Sequence, residues 1–124
     1  MINHILFLET ATKTIVSKHH LSCDVSIGQA ASYELECLIN IHPLDRSKEN
    51  VISIMLSENM EKYFQIFDSG ANNLAALDKI EYYQDALELT KEIFNSAIIN
   101  RMFSLACDGN KKNLFKEKGS SLNL

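Results

Sequence analysis

The alternation of apolar and polar residues between Cys23 and Ser57 most constrains how this chain can fold. In the middle of that region apolar side chains occupy every second position, namely Tyr33, Leu35, Cys37, Ile39 and Ile41. A period of two is typical of a strand with one buried and one solvated face. The alternation also occurs at Cys23–Ile27 and Val51–Ser57. Short links between these segments predict an antiparallel meander of about three strands.

Two helices are predicted on either side of the meander. Residues 2–20 carry isoleucine, leucine and valine at helical spacing, which predicts an amphipathic helix. Ser57 is a candidate N-cap for a second, short helix that ends at Asp68-Ser69-Gly70. Its core side chains follow at i, i+3, i+4 and i+7, and they are Met60, Tyr63, Phe64 and Phe67.

A third and longer helix is predicted at Lys79–Asp108, ended by Asp108-Gly109-Asn110. One face of this helix is apolar and comprises Tyr83, Ala86, Leu87, Thr90, Ile93, Phe94, Ala97, Ile98 and Leu105. The opposite face is polar and comprises Glu81, Asp85, Glu88, Glu92 and Asn95. The predicted fold is therefore α+β, with an antiparallel sheet packed against this long amphipathic helix and two further helices.

The length of the chain limits how it is organised. A chain of 124 residues has room for one domain, and its 46% hydrophobic and 23% charged residues are ordinary for a globular protein. Residues 111–124 contain four lysines and little periodicity. We therefore predict a single domain over residues 1–110, followed by a lysine-rich tail at 111–124 that orders only against a partner.

Charge and cysteine content exclude several function classes. The net charge is −4 and the lysines form no basic stripe, so nucleic acid is not an expected partner. Three cysteines at wide spacings fit neither a disulfide framework nor a zinc knuckle, which predicts reduced, buried thiols. The amino terminus has no basic residue ahead of its short apolar run, and no segment is long enough to span a membrane. The expected location is the cytoplasm.

Two groups of polar residues are candidate sites. His19, His20 and Cys23 lack a matching ligand set at a usual zinc spacing, so a polar helix end followed by a strand is the preferred interpretation. Glu92 and Asn95 are three positions apart on a helix, with Glu88 one turn earlier. From the residues alone, this group is either a solvated surface or a small polar device, and an acidic face of this kind could bind a cationic patch.

The order of elements, together with Glu92-Ile93-Phe94-Asn95, resembles the CheX/CheC/FliY family of chemotaxis phosphatases. Val51–Ser57 followed by Glu58–Phe67 is similar to that family's strand-to-helix passage, and residues 85–100 are similar to its motif helix. The resemblance covers most of residues 2–110. It implies hydrolysis of the aspartyl phosphate of a CheY-type receiver domain, with Asn95 positioning water, Glu92 docking beside the phosphorylation site and Glu88 contributing to binding.

The resemblance also carries expectations about cofactors and partners. It implies no metal of the protein's own, since magnesium belongs to the receiver domain. Ile99 stands where the family has a small glycine, which is expected to alter how closely this helix approaches its neighbours. The family continues into further strands after the motif helix, so here the sheet is either reduced or completed by a second subunit in a homodimer paired through sheet edges. The alternative is a binding module without activity, either receiver-binding or similar to a secretion chaperone.

Overall fold

The computed structural model describes residues 2–29, 34–45, 49–59 and 61–122. The elements in chain order are α1 (Ile2–Ser17), β1 (Leu21–Gln29), β2 (Leu35–Pro43), β3 (Ile52–Ser57), β4 (Lys62–Ile66), a 3₁₀ turn (Asp68–Gly70), α2 (Ala76–Asn95) and α3 (Ala97–Leu122). The fold is α+β, as predicted. The described sheet has four strands, one more than expected.

The strands form an antiparallel meander in the order β1-β2-β3-β4. This confirms the topology predicted from the alternation. Ile39 in β2 lies between Val25 of β1 and Ile54 of β3, and Ile54 in turn lies opposite Phe64 of β4. The core face of β2 is completely buried and consists of Leu35, Cys37, Ile39 and Ile41.

The core lies between that face of the sheet and the three helices. α1 packs along β1 and α3, whereas α2 packs over β3 and β4. Two threonines are buried among the apolar helix residues, and each hydroxyl donates to a carbonyl one turn back: Thr12 to Leu8 (2.8 Å) and Thr90 to Ala86 (2.9 Å). Their polar atoms are therefore satisfied inside the helix and do not weaken the core.

The short helix predicted from Ser57 to Phe67 is wrong, because the chain turns at Glu58-Asn59 and returns as β4. The Ser57 N–H donates to the Glu61 carbonyl across this turn (3.0 Å). Aromatic residues favour strands, and Phe64 gains Ile54 as a cross-strand neighbour. Tyr63 and Phe64, which were predicted in the core, are exposed. Met60 and Tyr33, also named above, lie outside the described residues.

The long helix predicted at Lys79–Asp108 is wrong in continuity, since it is broken at Ser96 into α2 and α3. Ser96 has an extended ψ of 118°, and its hydroxyl accepts the Ile99 N–H (3.3 Å), which makes it the N-cap of α3. The break changes the helical phase, so that Ile98 is exposed and Ile99 is buried. α3 then continues through Leu122, beyond the predicted end at Asp108. The division into a domain and a tail at residue 110 stays a prediction.

The amino-terminal helix is confirmed as α1. It is followed by a turn in which His20 adopts a left-handed conformation with a φ of 58°. All three cysteines are free and buried, as predicted. Among the residues that the structure describes, none of the helices combines the length and the apolar character that crossing a membrane requires.

Candidate functional site

The polar side chains of α2 form a continuous strip, which we call the polar strip. Its members are all exposed, and they are Glu81, Asp85, Glu88, Glu92 and Asn95. The opposite side of α2 carries the buried residues Ala86, Leu89, Thr90 and Ile93. The helical period therefore brings Glu88, Glu92 and Asn95 together, as their spacing indicated. The roles assigned to these residues stay predictions.

Glu92 forms an ion pair with Lys18. The Nζ atom of Lys18, in the turn after α1, lies 4.0 Å from Oε1 of Glu92. Both side chains are largely open to solvent. An exposed pair at this distance contributes little free energy, because water screens the attraction and two long side chains lose freedom. The Glu92 carboxylate can therefore exchange Lys18 for another cation at small cost.

Asn95 lies at the carboxyl end of α2, where the last carbonyls of a helix need donors from elsewhere. Lys62 donates through Nζ to the Phe94 carbonyl (3.1 Å). Asn100 donates through Nδ2 to the carbonyls of Phe94 (2.8 Å) and Ser96 (2.9 Å). In the described part of the chain the Asn95 side chain forms no hydrogen bond. Its carboxamide is exposed and remains able to donate and accept at once.

A cavity of about 500 Å³ opens beside the polar strip. Buried Val51 and Leu89 contribute to its lining, and exposed His19, Glu49 and Asp85 also border it. Asp85 is therefore shared between the cavity and the strip. Tyr82 also lines the cavity, and its hydroxyl donates to the Phe67 carbonyl (3.1 Å). Sequence reasoning missed this cavity because its walls come from segments far apart in the chain.

A second cavity, of about 350 Å³, lies between the turn after β3 and α3. Glu58 accepts the Leu35 N–H through Oε2 (2.8 Å), and its Oε1 lies 3.4 Å from Nζ of Lys111. Cys107 lines the same cavity. Burial first, and then the Glu58 charge, raise the pKa of the Cys107 thiol to about 11. The thiol is therefore protonated at neutral pH and is not an activated nucleophile.

The other thiols are equally inert. Burial raises the pKa of Cys23 and of Cys37 to about 12. Cys23 lies in the core, whereas His19 and His20 are exposed in the turn before it, so these residues do not converge. Within the described ranges, no three histidine, cysteine, aspartate or glutamate side chains are grouped closely enough to hold a metal ion.

Comparison of the chain with protein-family models, with curated proteins and with solved structures gives no significant match.

Proposed function

We propose that the polar strip of α2 docks on a CheY-type receiver domain and promotes hydrolysis of its aspartyl phosphate. The observation that carries this proposal is the free Asn95 carboxamide, one helical turn from the Glu92 carboxylate. Hydrolysis of an acyl phosphate passes through a loose transition state, so the main requirement is to hold water in line with the departing phosphoryl group. A carboxamide with both its donor and its acceptor unused can orient that water.

Glu92 is assigned to docking. A receiver domain presents a cation beside its phosphorylation site, and Glu92 can pair with it by exchanging its weak contact with Lys18. Glu88, one turn earlier on the same exposed side, extends the acidic surface and contributes to binding. Any divalent ion, magnesium in particular, belongs to the receiver. The proposed location is the cytoplasm, where such receivers act.

The test is the rate of phosphate loss from a phosphorylated receiver domain, with and without this protein. Asn95→Ala is expected to reduce the acceleration about a hundredfold, the usual cost of misplacing a reacting group. Gln84→Ala is the matched control, since it removes an exposed carboxamide from the same helix roughly 16 Å along its axis. Glu92→Ala is compared in the same way with Asp108→Ala, which removes an exposed carboxylate from α3, outside the polar strip. Unchanged turnover in the Asn95→Ala protein overturns the proposal.

A second candidate is a binding module without catalytic activity, either receiver-binding or similar to a secretion chaperone. The observation that favours it is the acidic part of the strip, which extends to Asp85 and Glu81 and so reaches well beyond Asn95. Charge complementarity alone steers a cationic partner to such a surface. Binding of the receiver that weakens in the Glu88→Gln and Glu92→Gln proteins, without any acceleration of phosphate loss, identifies this second function.

A further inference from the structure

The second cavity contains a buried carboxylate with an oxygen that accepts no hydrogen bond. Only 9% of the Glu58 side chain is exposed, and its Oε2 already accepts the Leu35 N–H (2.8 Å). Its Oε1 is buried and forms no hydrogen bond with any described residue, although Nζ of Lys111 lies 3.4 Å away. Buried polar atoms of folded proteins almost always have a hydrogen-bond partner, and leaving one without a partner is costly. Oε1 is therefore suited to accept a donor from a bound molecule.

Glu58 faces α3 across this cavity. Cys107 and Lys111, one turn apart on α3, line the cavity together with Glu58. Burial and the Glu58 charge raise the pKa of the Cys107 thiol to about 11, and the Lys111 charge opposes them. The carboxylate and the ammonium therefore both lie near the Cys107 thiol, on the wall of the cavity. Leu56 and Phe103 add apolar surface to the same wall.

A second ammonium group also lines the cavity. Nζ of Lys62 donates to the Phe94 carbonyl and to Oδ1 of Asn100 (both 3.1 Å). An ammonium group has three N–H donors, so one donor of Lys62 remains available. Because two hydrogen bonds already hold this ammonium in place, little side-chain freedom is lost when it binds an anion.

The charges that line the cavity are of both signs. Among the described lining residues, Lys62 and Lys111 are positive, Glu58 is negative and buried, and Asp108 is negative and exposed, so the formal charges sum to zero. A ligand with a single charge uses only one of the two kinds of partner. A small molecule with one charge of each sign uses both. The volume of about 350 Å³ is at the lower end of the range for ligand sites, which suits a molecule of this size.

We propose that the second cavity binds a free α-amino acid with an apolar side chain, held as its zwitterion. The ligand ammonium donates to Oε1 of Glu58 and replaces Lys111 there. This exchange costs little, because the Lys111 side chain is 68% exposed and its contact with Glu58 includes no hydrogen bond. The ligand carboxylate pairs with Lys111 and with the available N–H of Lys62. The ligand side chain lies against Leu56 and Phe103.

This site is separate from the candidate site on α2. None of the five residues of the polar strip lines the second cavity, whose walls come from the end of β3, the start of β4 and α3. The proposal is therefore independent of the function proposed above, and either can fail without the other.

The first experiment is a ligand-observed NMR titration of the full chain with L-leucine and two analogues that share its apolar part. Isoamylamine lacks the carboxylate, and isocaproate lacks the ammonium. L-Leucine is expected to bind, and each analogue is expected to bind at least about tenfold more weakly, since each loses a charged hydrogen bond. Equal affinity for the three molecules, or no binding of L-leucine at millimolar concentration, overturns the proposal.

Two variants assign the charged partners. Glu58→Gln keeps an acceptor for the Leu35 N–H but removes the charge, and it is expected to weaken L-leucine and isoamylamine about tenfold while sparing isocaproate. Lys111→Gln is expected to weaken L-leucine and isocaproate while sparing isoamylamine. Lys91→Gln is the matched control, because it removes an exposed lysine of α2 that does not line the cavity.

A third variant tests the location of the site. Ser104 is exposed and lines the cavity, so Ser104→Phe is expected to abolish L-leucine binding by filling the space without disturbing the core. Circular dichroism establishes that each variant is folded. If Glu58→Gln does not fold, Lys111→Gln and Ser104→Phe still decide, since both changes are at exposed positions. Unchanged L-leucine binding in these two variants, or an equal loss in Lys91→Gln, places binding elsewhere and overturns the proposal.

Discussion

One row of apolar side chains crosses all four strands of the sheet, and its members differ in burial between the central strands and the edge strand β4. Val25, Ile39, Ile54 and Phe64 are neighbours in that order from β1 to β4. Ile39 and Ile54 are completely buried, whereas Phe64, the largest of the four, is 45% exposed. Hydrophobicity therefore does not decide burial in this row. Position in the sheet decides it, since β2 and β3 each have a strand on both sides, whereas β4 has a strand on one side only.

The largest effect that tests this comparison is expected for Ile39→Ala. Removing a completely buried isoleucine side chain leaves a cavity between the sheet and the helices, and the free energy of unfolding is expected to fall by about 3–4 kcal/mol. Phe64→Ala is expected to cost about 1 kcal/mol in the monomer, since much of the ring is already in water. Urea denaturation at low protein concentration measures both.

The outcome that breaks the comparison is an equal cost for the two variants. If Phe64→Ala destabilises the chain as strongly as Ile39→Ala, the Phe64 ring is covered in solution. A cost for Phe64→Ala that grows with protein concentration attributes the cover to a second copy, because association with the folded state stabilises by mass action.

The same contrast explains which strands could be predicted from sequence. Every second residue of β2 is apolar, and no helical spacing fits that pattern, so Leu35–Ile41 was assigned correctly. In and just after β4, the residues Tyr63, Phe64 and Phe67 fit a helix as well as a strand. The strand is favoured because it pairs with β3, where Ile52 and Ile54 lie opposite Ile66 and Phe64. This pairing is a tertiary contact, which the local spacing of apolar residues does not reveal.

The candidate site likewise has one part that the sequence predicts and one part that it does not. The polar strip follows from the helical period within one segment, so its residues could be named from the sequence. The end of α2 could not, because Lys62 and Asn100 satisfy its carbonyls from β4 and α3. The Asn95-Ser96 pair, a helix-ending residue followed by a good N-cap, was the available signal for the break.

A second row of side chains across the sheet contains a buried thiol, so the burial of β2 can be tested through the pH dependence of stability. Cys37 of β2 lies beside Leu56, whose other neighbour is the exposed Lys62. Burial raises the pKa of the Cys37 thiol from 9.0 to about 12. The folded protein therefore keeps this proton more tightly than the unfolded chain, so the associated stability is fully present below pH 9 and is lost as the pH rises toward 12. The contribution of Cys37 to stability is expected to fall by roughly 1 kcal/mol for each pH unit above 9.

Thermal unfolding at pH 8, 9 and 10 measures this loss, with Cys37→Ala as the comparison. The Ala variant is expected to be less stable at pH 8, and its stability is expected to decline less steeply with pH because one buried thiol is gone. Identical slopes in the two proteins contradict a buried, protonated Cys37. Reaction with a thiol reagent gives an independent reading, since Cys37 is expected to react only after unfolding.

The smallest change in stability is expected for Asn95→Ala, which we compare with Asn100→Ala on the other side of the helix break. This pair extends the comparison of buried and exposed residues from the sheet to the candidate site. Asn100 is half-buried and its side chain donates to two carbonyls, so Asn100→Ala is expected to cost about 1 kcal/mol by removing these two hydrogen bonds. The carbonyls of Phe94 and Ser96 keep Lys62 and the Asn100 backbone N–H as donors. Asn95 is exposed and bonds to nothing described, so Asn95→Ala is expected to change stability by less than about 0.5 kcal/mol. Chemical denaturation of both variants checks the pair. A large cost for Asn95→Ala would mean that this side chain has a structural role, and any loss of activity in that variant could then no longer be attributed to the positioning of water.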